Sequence, residues 1–287
     1  MDFRDYYQPG SCRISFEVFP PKDEEGMGSL LQSLKDLSPF KPAFVSCTYG
    51  AMGTTRDVTR DLVIQIRKEL DLTTAFHFTC VGSNRIAIKE YVEYLKEKGI
   101  NLVVALRGDP PQGSAQFVKP ADGFSYANEL VAFLKSINGF SIAVAGYPEG
   151  HIEAPDLETD LQNLKRKVAA GADVVLTQLF FDNRFYFDFV ERARKIGITV
   201  PIVPGIMPIL SVGQIEKITR MCGASIPKDL YQRLSAVQED HDKVREIGIE
   251  HASAQCRQLL EAGVPGIHFY TLNRSYSTRR ILESLSL

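Results

Sequence analysis

The chain has 287 residues, 44% hydrophobic and 24% charged, a balance that excludes a disordered polymer. No apolar run approaches the ~20 residues of a membrane span, and a net charge of −2, with no basic block longer than Lys165-Arg166-Lys167, excludes a nucleic-acid surface. Five scattered cysteines (Cys12, Cys47, Cys80, Cys222 and Cys256), none in a C-x-x-C pair, argue against a disulfide framework or a structural zinc site and point to a reducing, cytoplasmic setting.

The N-terminal MDFRDYYQPGS has no apolar stretch of signal-peptide type. Strands are then expected at 13–19 (RISFEVF, ending in Pro20-Pro21), 43–48, 75–80, 101–106, 141–145, 173–178, 200–204 and 266–271. Several are apolar throughout, as strands covered on both faces of a parallel sheet should be. Between them, apolar residues recur at helical spacing: Leu30, Leu31, Leu34 and Leu37; Leu62, Ile66 and Leu70; Ile88, Val92 and Leu95; Leu130, Val131 and Leu134; Leu157, Leu161, Leu164 and Val168; Phe185, Phe189 and Val190. The seventh connection carries Ile215 and Ile218 and then a segment started by Pro227, and a long helix is expected from Asp240 to Ala262. Gly99, Gly171, Gly197 and Gly263 follow four of these helices, where a left-handed cap is wanted.

Alternating strands and helices imply parallel strands with helical crossovers, and eight such units most economically close into an α/β (β/α)8 TIM barrel, here read as a single domain over 1–287. The runner-up is an open doubly wound sheet. Its glycine fingerprint is missing, since FPPKDEEG follows the first strand.

Barrel chemistry sits at the C-terminal strand ends, and polar residues collect there. Glu17 interrupts the first strand, Thr48 and Tyr49 end the second, and His77 lies in the third. Arg107-Gly108-Asp109 ends the fourth, Tyr147 follows the fifth, Gln178 ends the sixth, and Tyr270, Asn273 and Arg274 close the eighth. Glu17, between Phe16 and Val18, is costly to bury unless paired or functional; partial burial is expected to raise its pKa, as suits a general acid. A salt bridge is its bland alternative. Arg107 and Asp109 suit either a local ion pair or close approach of a flat ligand across Gly108. Asp160, Asn163, Arg166 and Lys167 share one helix face, which fits a solvated surface or a pyrophosphate and ribose site. His77, His151 and His268 show no metal-ligand spacing and suit hydrogen bonding. His241 and His251 are expected at the surface.

These residues fall in motifs that resemble the methylenetetrahydrofolate reductases: SFEVFPPK (15–22), VSCTYGA (45–51), FHFTC (76–80), ALRGDPP (105–111), AGYPEGH (145–151), DLQNLKRKVAAGAD (160–173), TQLFFD (177–182), PGIMPI (204–209) and HFYTLNR (268–274). The resemblance covers nearly the whole chain and is to the short, bacterial-type form that holds only the catalytic barrel. It implies a flavoenzyme in which FAD takes a hydride from NADH or NADPH and passes it to 5,10-methylenetetrahydrofolate, giving 5-methyltetrahydrofolate by a ping-pong order. Glu17 would be the general acid that opens the folate ring to an iminium. Asp109 would disfavour the anionic reduced flavin and stabilise that cation.

The resemblance further implies substrate contacts at Thr48, Gln178, Gln214 and Arg274. It implies FAD contacts at Tyr49, His77, Arg107, Gly108, Asp109, Tyr126, Ala127, Tyr147, His151, Ala154, Asp160, Asn163, Arg166 and Lys167. With the family named, the ligand reading of the 160–167 helix becomes the better one. It also implies a homo-oligomer. One position departs: near Ile218, bacterial members carry a phenylalanine that stacks on nicotinamide and folate. Two other readings stand beside this one: a related FAD barrel oxidising an amino acid such as proline, and a folate-binding subunit that needs a partner for flavin reduction.

Overall fold

The structure, a computed structural model, describes residues 2–8, 10–49, 56–109, 117 and 119–285. Of the motifs above, Gly50-Ala51 and Pro110-Pro111 lie outside the described residues.

The strands are β1 (Arg13–Val18), β2 (Val45–Cys47), β3 (Thr74–Thr79), β4 (Leu102–Leu106), β5 (Ser141–Gly146), β6 (Val174–Leu179), β7 (Ile202–Ile206) and β8 (Gly266–Tyr270). Each pairs in parallel with the next, and β8 pairs with β1, so the sheet closes. The barrel expected from the alternation is therefore the one observed. The second strand is shorter than expected, because Ala43 and Phe44 precede the regular ladder.

The helices are α1 (Phe3–Tyr6), α2 (Glu24–Leu37), α3 (Arg56–Leu70), α4 (Arg85–Glu97), α5 (Ala127–Ile137), α6 (Leu157–Ala169), α7 (Asn183–Lys195), α8 (Val212–Cys222), α9 (Lys228–Ser235), α10 (His241–Glu261) and α11 (Ser275–Ser284). Their starts follow their sequence: the Asp23, Asn84, Asp156, Ser211 and Asp240 side chains each accept a backbone N–H from the first turn. Gly99, Gly171, Gly197 and Gly263 all take positive φ past helix ends.

Alternate strand residues divide between two cores. Phe16, Phe76, Phe78, Ile267 and Phe269 face outward into the layer beneath the helices. The barrel interior holds Ala75, Leu102, Val104, Ala143, Val174, Leu176 and Val203, closed at the N-terminal end by Phe3, Tyr7 and Phe44. Phe3 meets Phe44 edge-on, with ring centroids 5.0 Å apart. This plug was not expected from the sequence; the signal that marks it is Phe3, Tyr6 and Tyr7 at helical spacing. Beside it Asp173, 7% exposed, is held by Lys135 Nζ at 2.7 Å, Arg4 Nε at 3.2 Å and the Ile142 N–H at 2.8 Å.

The same alternation turns Ser15 and Glu17 on β1, His77 on β3, and His268 and Tyr270 on β8 inward. The fold thus brings together side chains from the two ends of the chain.

Candidate functional site

A cleft of about 220 Å³ opens at the C-terminal strand ends, lined by Glu17, Phe19, Gln178, Met207, Ile218 and Tyr270 among others. Glu17 keeps 17% of its side chain exposed there, and two imidazoles address the same carboxylate oxygen. His77 Nε2 lies 3.2 Å and His268 Nε2 3.5 Å from Glu17 Oε2. The His77 nitrogen is buried and out of line for a hydrogen bond, so its interaction with Glu17 is electrostatic.

The Glu17 pKa is lowered, not raised as the apolar strand around it suggests. Burial does push the carboxyl up, but the two imidazoles together outweigh it, chiefly through the charge at His77, and hold it down at about 2. The missing information was which side chains strands three and eight turn toward strand one.

The rim of the cleft is fixed by the eighth strand end. Thr271 Oγ1 donates to the Glu17 carbonyl at 2.8 Å, and the Asn273 side chain bonds both the N–H and the carbonyl of Phe19 at 3.0 and 2.8 Å. Leu272 and Asn273 adopt left-handed backbone, with φ of 53° and 59°, to close this clamp. Asn273 is therefore a structural rim residue. Arg274, beyond it, is exposed and precedes α11.

Across the cleft, Tyr270 donates its hydroxyl to the Thr177 carbonyl at 2.6 Å, where the β6–β7 register shifts between Leu176 and Leu179. Gly205 permits this crossing, since a Cβ there would lie 2.7 Å from the Tyr270 ring. Gln178 follows the crossing, and its Oε1 accepts the Leu179 N–H at 2.9 Å. Gln214 sits in the first turn of α8, its N–H on Ser211 Oγ at 3.3 Å, and Ile218 lies one turn later against the cleft. Thr48 receives its place from β1, its N–H bonding the Val18 carbonyl at 2.9 Å, and the Tyr49 ring packs on Phe78 with centroids 5.4 Å apart.

Of the residues expected to contact a cofactor, those from Arg107 to Lys167 follow one another from the end of β4 to α6, whereas Tyr49 follows β2 and His77 lies on β3 against Glu17. Gly108 takes φ +83°, and a Cβ there would strike Val81 and Thr79 at 2.8 and 2.9 Å. Arg107 does not pair locally with Asp109. Its guanidinium makes a bidentate pair with Glu153, with Nη2 to Oε1 at 2.7 Å, while Asp109 is exposed.

Tyr147 and His151 meet edge-on at 4.6 Å, and Ala154 N–H closes a turn onto the His151 carbonyl at 2.9 Å. Burial pushes the His151 imidazole down and the Tyr147 phenol up. Tyr126 is the exposed N-cap of α5, with Ala127 its first residue, and Glu129 reaches back to the Ser125 and Tyr126 N–H groups at 2.6 and 3.2 Å.

The α6 face is not simply solvated. Lys167 turns inward to the Ala145 carbonyl at 2.6 Å and lies 5.8 Å from the centre of the Tyr147 ring. Burial pushes its ammonium down to about 8, against the pull of Asp160. Asp160 is 9% exposed, and burial pushes its carboxyl up despite Lys167. Asn163 and Arg166, further out, pair with each other at 2.8 Å. His251 is not at the surface as expected: it is half-buried, its Nε2 2.9 Å from the Phe181 carbonyl. His241 is exposed. Among the described residues, no group of three or more metal-ligating side chains is assembled.

The sequence profile of methylenetetrahydrofolate reductase matches residues 2–286. The 5,10-methylenetetrahydrofolate reductase of Escherichia coli K12 is 38% identical over 278 residues, covering 97% of this chain and 92% of its own. The chain belongs to the methylenetetrahydrofolate reductase family. The maize methylenetetrahydrofolate reductase (NADH) 1 is 39% identical over 97% of this chain, which spans about half (49%) of that plant relative. A Clostridium thermocellum protein described as binding two copies of 5-methyl-5,6,7,8-tetrahydrofolic acid shares the fold, with a TM-score of 0.64 at 18% identity over 98% of this chain and 96% of its own. Among the described residues, no helix is long and apolar enough to cross a membrane.

Proposed function

We propose that the chain is an FAD-dependent methylenetetrahydrofolate reductase that uses NADH or NADPH to convert 5,10-methylenetetrahydrofolate to 5-methyltetrahydrofolate. The observation that carries this reading is the carboxylate of Glu17 in the cleft, flanked by two imidazoles and lying on the same rim as Gln178, in a member of this family.

The residues present fit FAD. Lys167 and Arg166 supply cationic groups for a pyrophosphate, Asp160 and Asn163 supply partners for ribose hydroxyls, and Tyr147 offers an aromatic face on the same rim. His77, Arg107, Gly108, Asp109, Tyr126, Ala127, His151 and Ala154 complete the proposed set. When bound, FAD would supply the carrier that accepts the nicotinamide hydride and releases it to folate.

The chain's own residues do the rest. Gln178 has its amide oxygen engaged by the Leu179 N–H, so its NH2 group is left to donate to a pterin acceptor. Glu17 is anionic before substrate arrives. A ligand filling the cleft excludes water from the carboxyl and pushes it back toward the protonated form, from which it can give its proton to a folate ring nitrogen. The exposed Asp109 carboxylate favours the cation that results. Thr48, Gln214 and Arg274 would hold the substrate at the rim. The proposed setting is cytoplasmic and homo-oligomeric, supported by the family resemblance and the unpaired cysteines.

An anaerobic visible-absorption titration tests this reading. A flavin band that bleaches with NADH or NADPH and returns with 5,10-methylenetetrahydrofolate supports it. A band that bleaches only with a partner protein present favours the subunit reading, for which Ile218 in the cleft wall is the motive. Protein that binds no flavin contradicts both.

A further inference from the structure

A polar chain runs down the barrel axis beneath Glu17. His268, fully buried, faces Glu17 Oε2 with Nε2 at a long 3.5 Å and Ser15 Oγ with Nδ1 at 2.7 Å. Ser15, also fully buried and paired in register with His268, meets the Tyr7 hydroxyl at 3.3 Å. Tyr7, 3% exposed, belongs to the N-terminal plug. Its ring fills space left by Gly266, where a Cβ would lie 2.7 Å from Tyr7 Cε1. A polar chain in an otherwise apolar interior is costly unless each member has a partner of the right sense.

The two ends of the chain select one direction of donation. At the lower end, Ser15 is the one partner of the Tyr7 hydroxyl among the described residues. Tyr7 must therefore donate to Ser15, or its proton is buried without an acceptor. Ser15 then donates to His268 Nδ1, which must be bare, and the ring proton sits on Nε2. At the upper end, a proton on Nε2 meets the carboxylate of Glu17, whereas a bare Nε2 would set one lone pair against another. Both ends call for the same tautomer.

We propose that Tyr7 and Ser15 are a tautomer lock: they keep the His268 proton on Nε2, facing Glu17 Oε2, so that Oε1 is the oxygen that carries the proton to substrate. This assignment of Oε1 rests on the proposed role of Glu17; the tautomer does not. Tyr7 and Ser15 are positioning residues that touch no substrate. The titratable groups facing Glu17 are His77 from β3 and His268 and Tyr270 from β8, and Cys47, in the outer layer on β2, is within electrostatic reach. Only His268 is in contact with the lower chain.

The test is the ring nitrogen NMR spectrum of protein labelled with 15N-histidine, the His268 signals being assigned by their loss in His268→Gln. In the wild type at neutral pH, the proton is expected on Nε2. In Ser15→Ala, which leaves Nδ1 no acceptor, the proton should stay on Nε2. In Tyr7→Phe, where the Ser15 hydroxyl is released from Tyr7 and can accept from Nδ1, a population with the proton on Nδ1 should appear. The folate half-reaction should then fall roughly tenfold, and its loss at high pH should move upward, because a bare Nε2 favours protonated Glu17. Flavin reduction by NADH should hold.

A wild-type His268 protonated on Nδ1, or on both nitrogens, overturns the proposal, as does a tautomer unmoved in Tyr7→Phe. Equal losses in both half-reactions with no pH displacement make the chain merely structural. A wild type that reduces no folate contradicts the proposed function, while the spectrum still decides the tautomer.

Discussion

The Tyr270 hydroxyl crosses from β8 to the Thr177 carbonyl on β6, 2.6 Å away, passing over β7 where Gly205 leaves room. It ties the strand that ends beside Glu17 to the strand that presents Gln178. Tyr270→Phe should leave the buried Thr177 carbonyl short of a donor and cost ~1–3 kcal/mol of stability. The folate half-reaction should fall further than flavin reduction. Thermal melts and separate half-reaction rates check this.

Gly108→Ala should damage the proposed cofactor site without touching the cleft. Left-handed backbone costs an ordinary residue ~1–2 kcal/mol, and the added methyl would press on Val81 and Thr79 at 2.8 and 2.9 Å. The expected result is a lower melting temperature and weakened flavin retention, read from the flavin-to-protein absorbance ratio.

Lys167 predicts how flavin affinity depends on pH. Its ammonium is pushed down to about 8 by burial, so the cation is present below that pH and lost above it. Flavin affinity of the apoprotein should weaken roughly fivefold or more as pH rises from about 7 to about 9. In Lys167→Met it should be weaker throughout and flatter with pH. Fluorescence quenching titrations with FAD measure both.

Glu17 predicts a stability window. Its carboxyl is held at about 2 against an ordinary 4.5, so its contribution is fully present above about pH 4.5 and is lost as pH falls toward 2. Glu17→Gln should flatten the acid limb of stability over that window, as measured by denaturant melts.

Ile218 lines the cleft where an aromatic ring could stack on a flat substrate. Ile218→Phe should lower the KM for nicotinamide or folate roughly two- to tenfold, the worth of one stacking contact. Steady-state kinetics with NADH and NADPH separately would show which substrate gains.

The barrel was legible in the sequence because its strands are short apolar runs set off by turns and its helices carry caps and a periodic apolar face. The polar strand ends were legible for the same reason: Glu17, His77 and Gln178 interrupt apolar patterns. What escaped was the meeting of distant residues. The ionisation of Glu17 depends on imidazoles from strands three and eight, and nothing in RISFEVF reveals which side chains those strands turn inward. His251 sits on a helix that reads as polar, yet its ring is fixed by the Phe181 carbonyl of a separate loop. Arg107 lies two residues from Asp109 but pairs with Glu153, because the left-handed turn at Gly108 separates the two neighbours.

Stopped-flow measurement of the two half-reactions in wild type and Glu17→Gln tests the general-acid role of Glu17 most directly. In the variant, flavin reduction by NADH or NADPH should be nearly unchanged, while reoxidation by 5,10-methylenetetrahydrofolate slows by roughly 10²-fold or more. Equal losses in both halves would contradict that role, leaving Glu17 as a structural or flavin-binding residue.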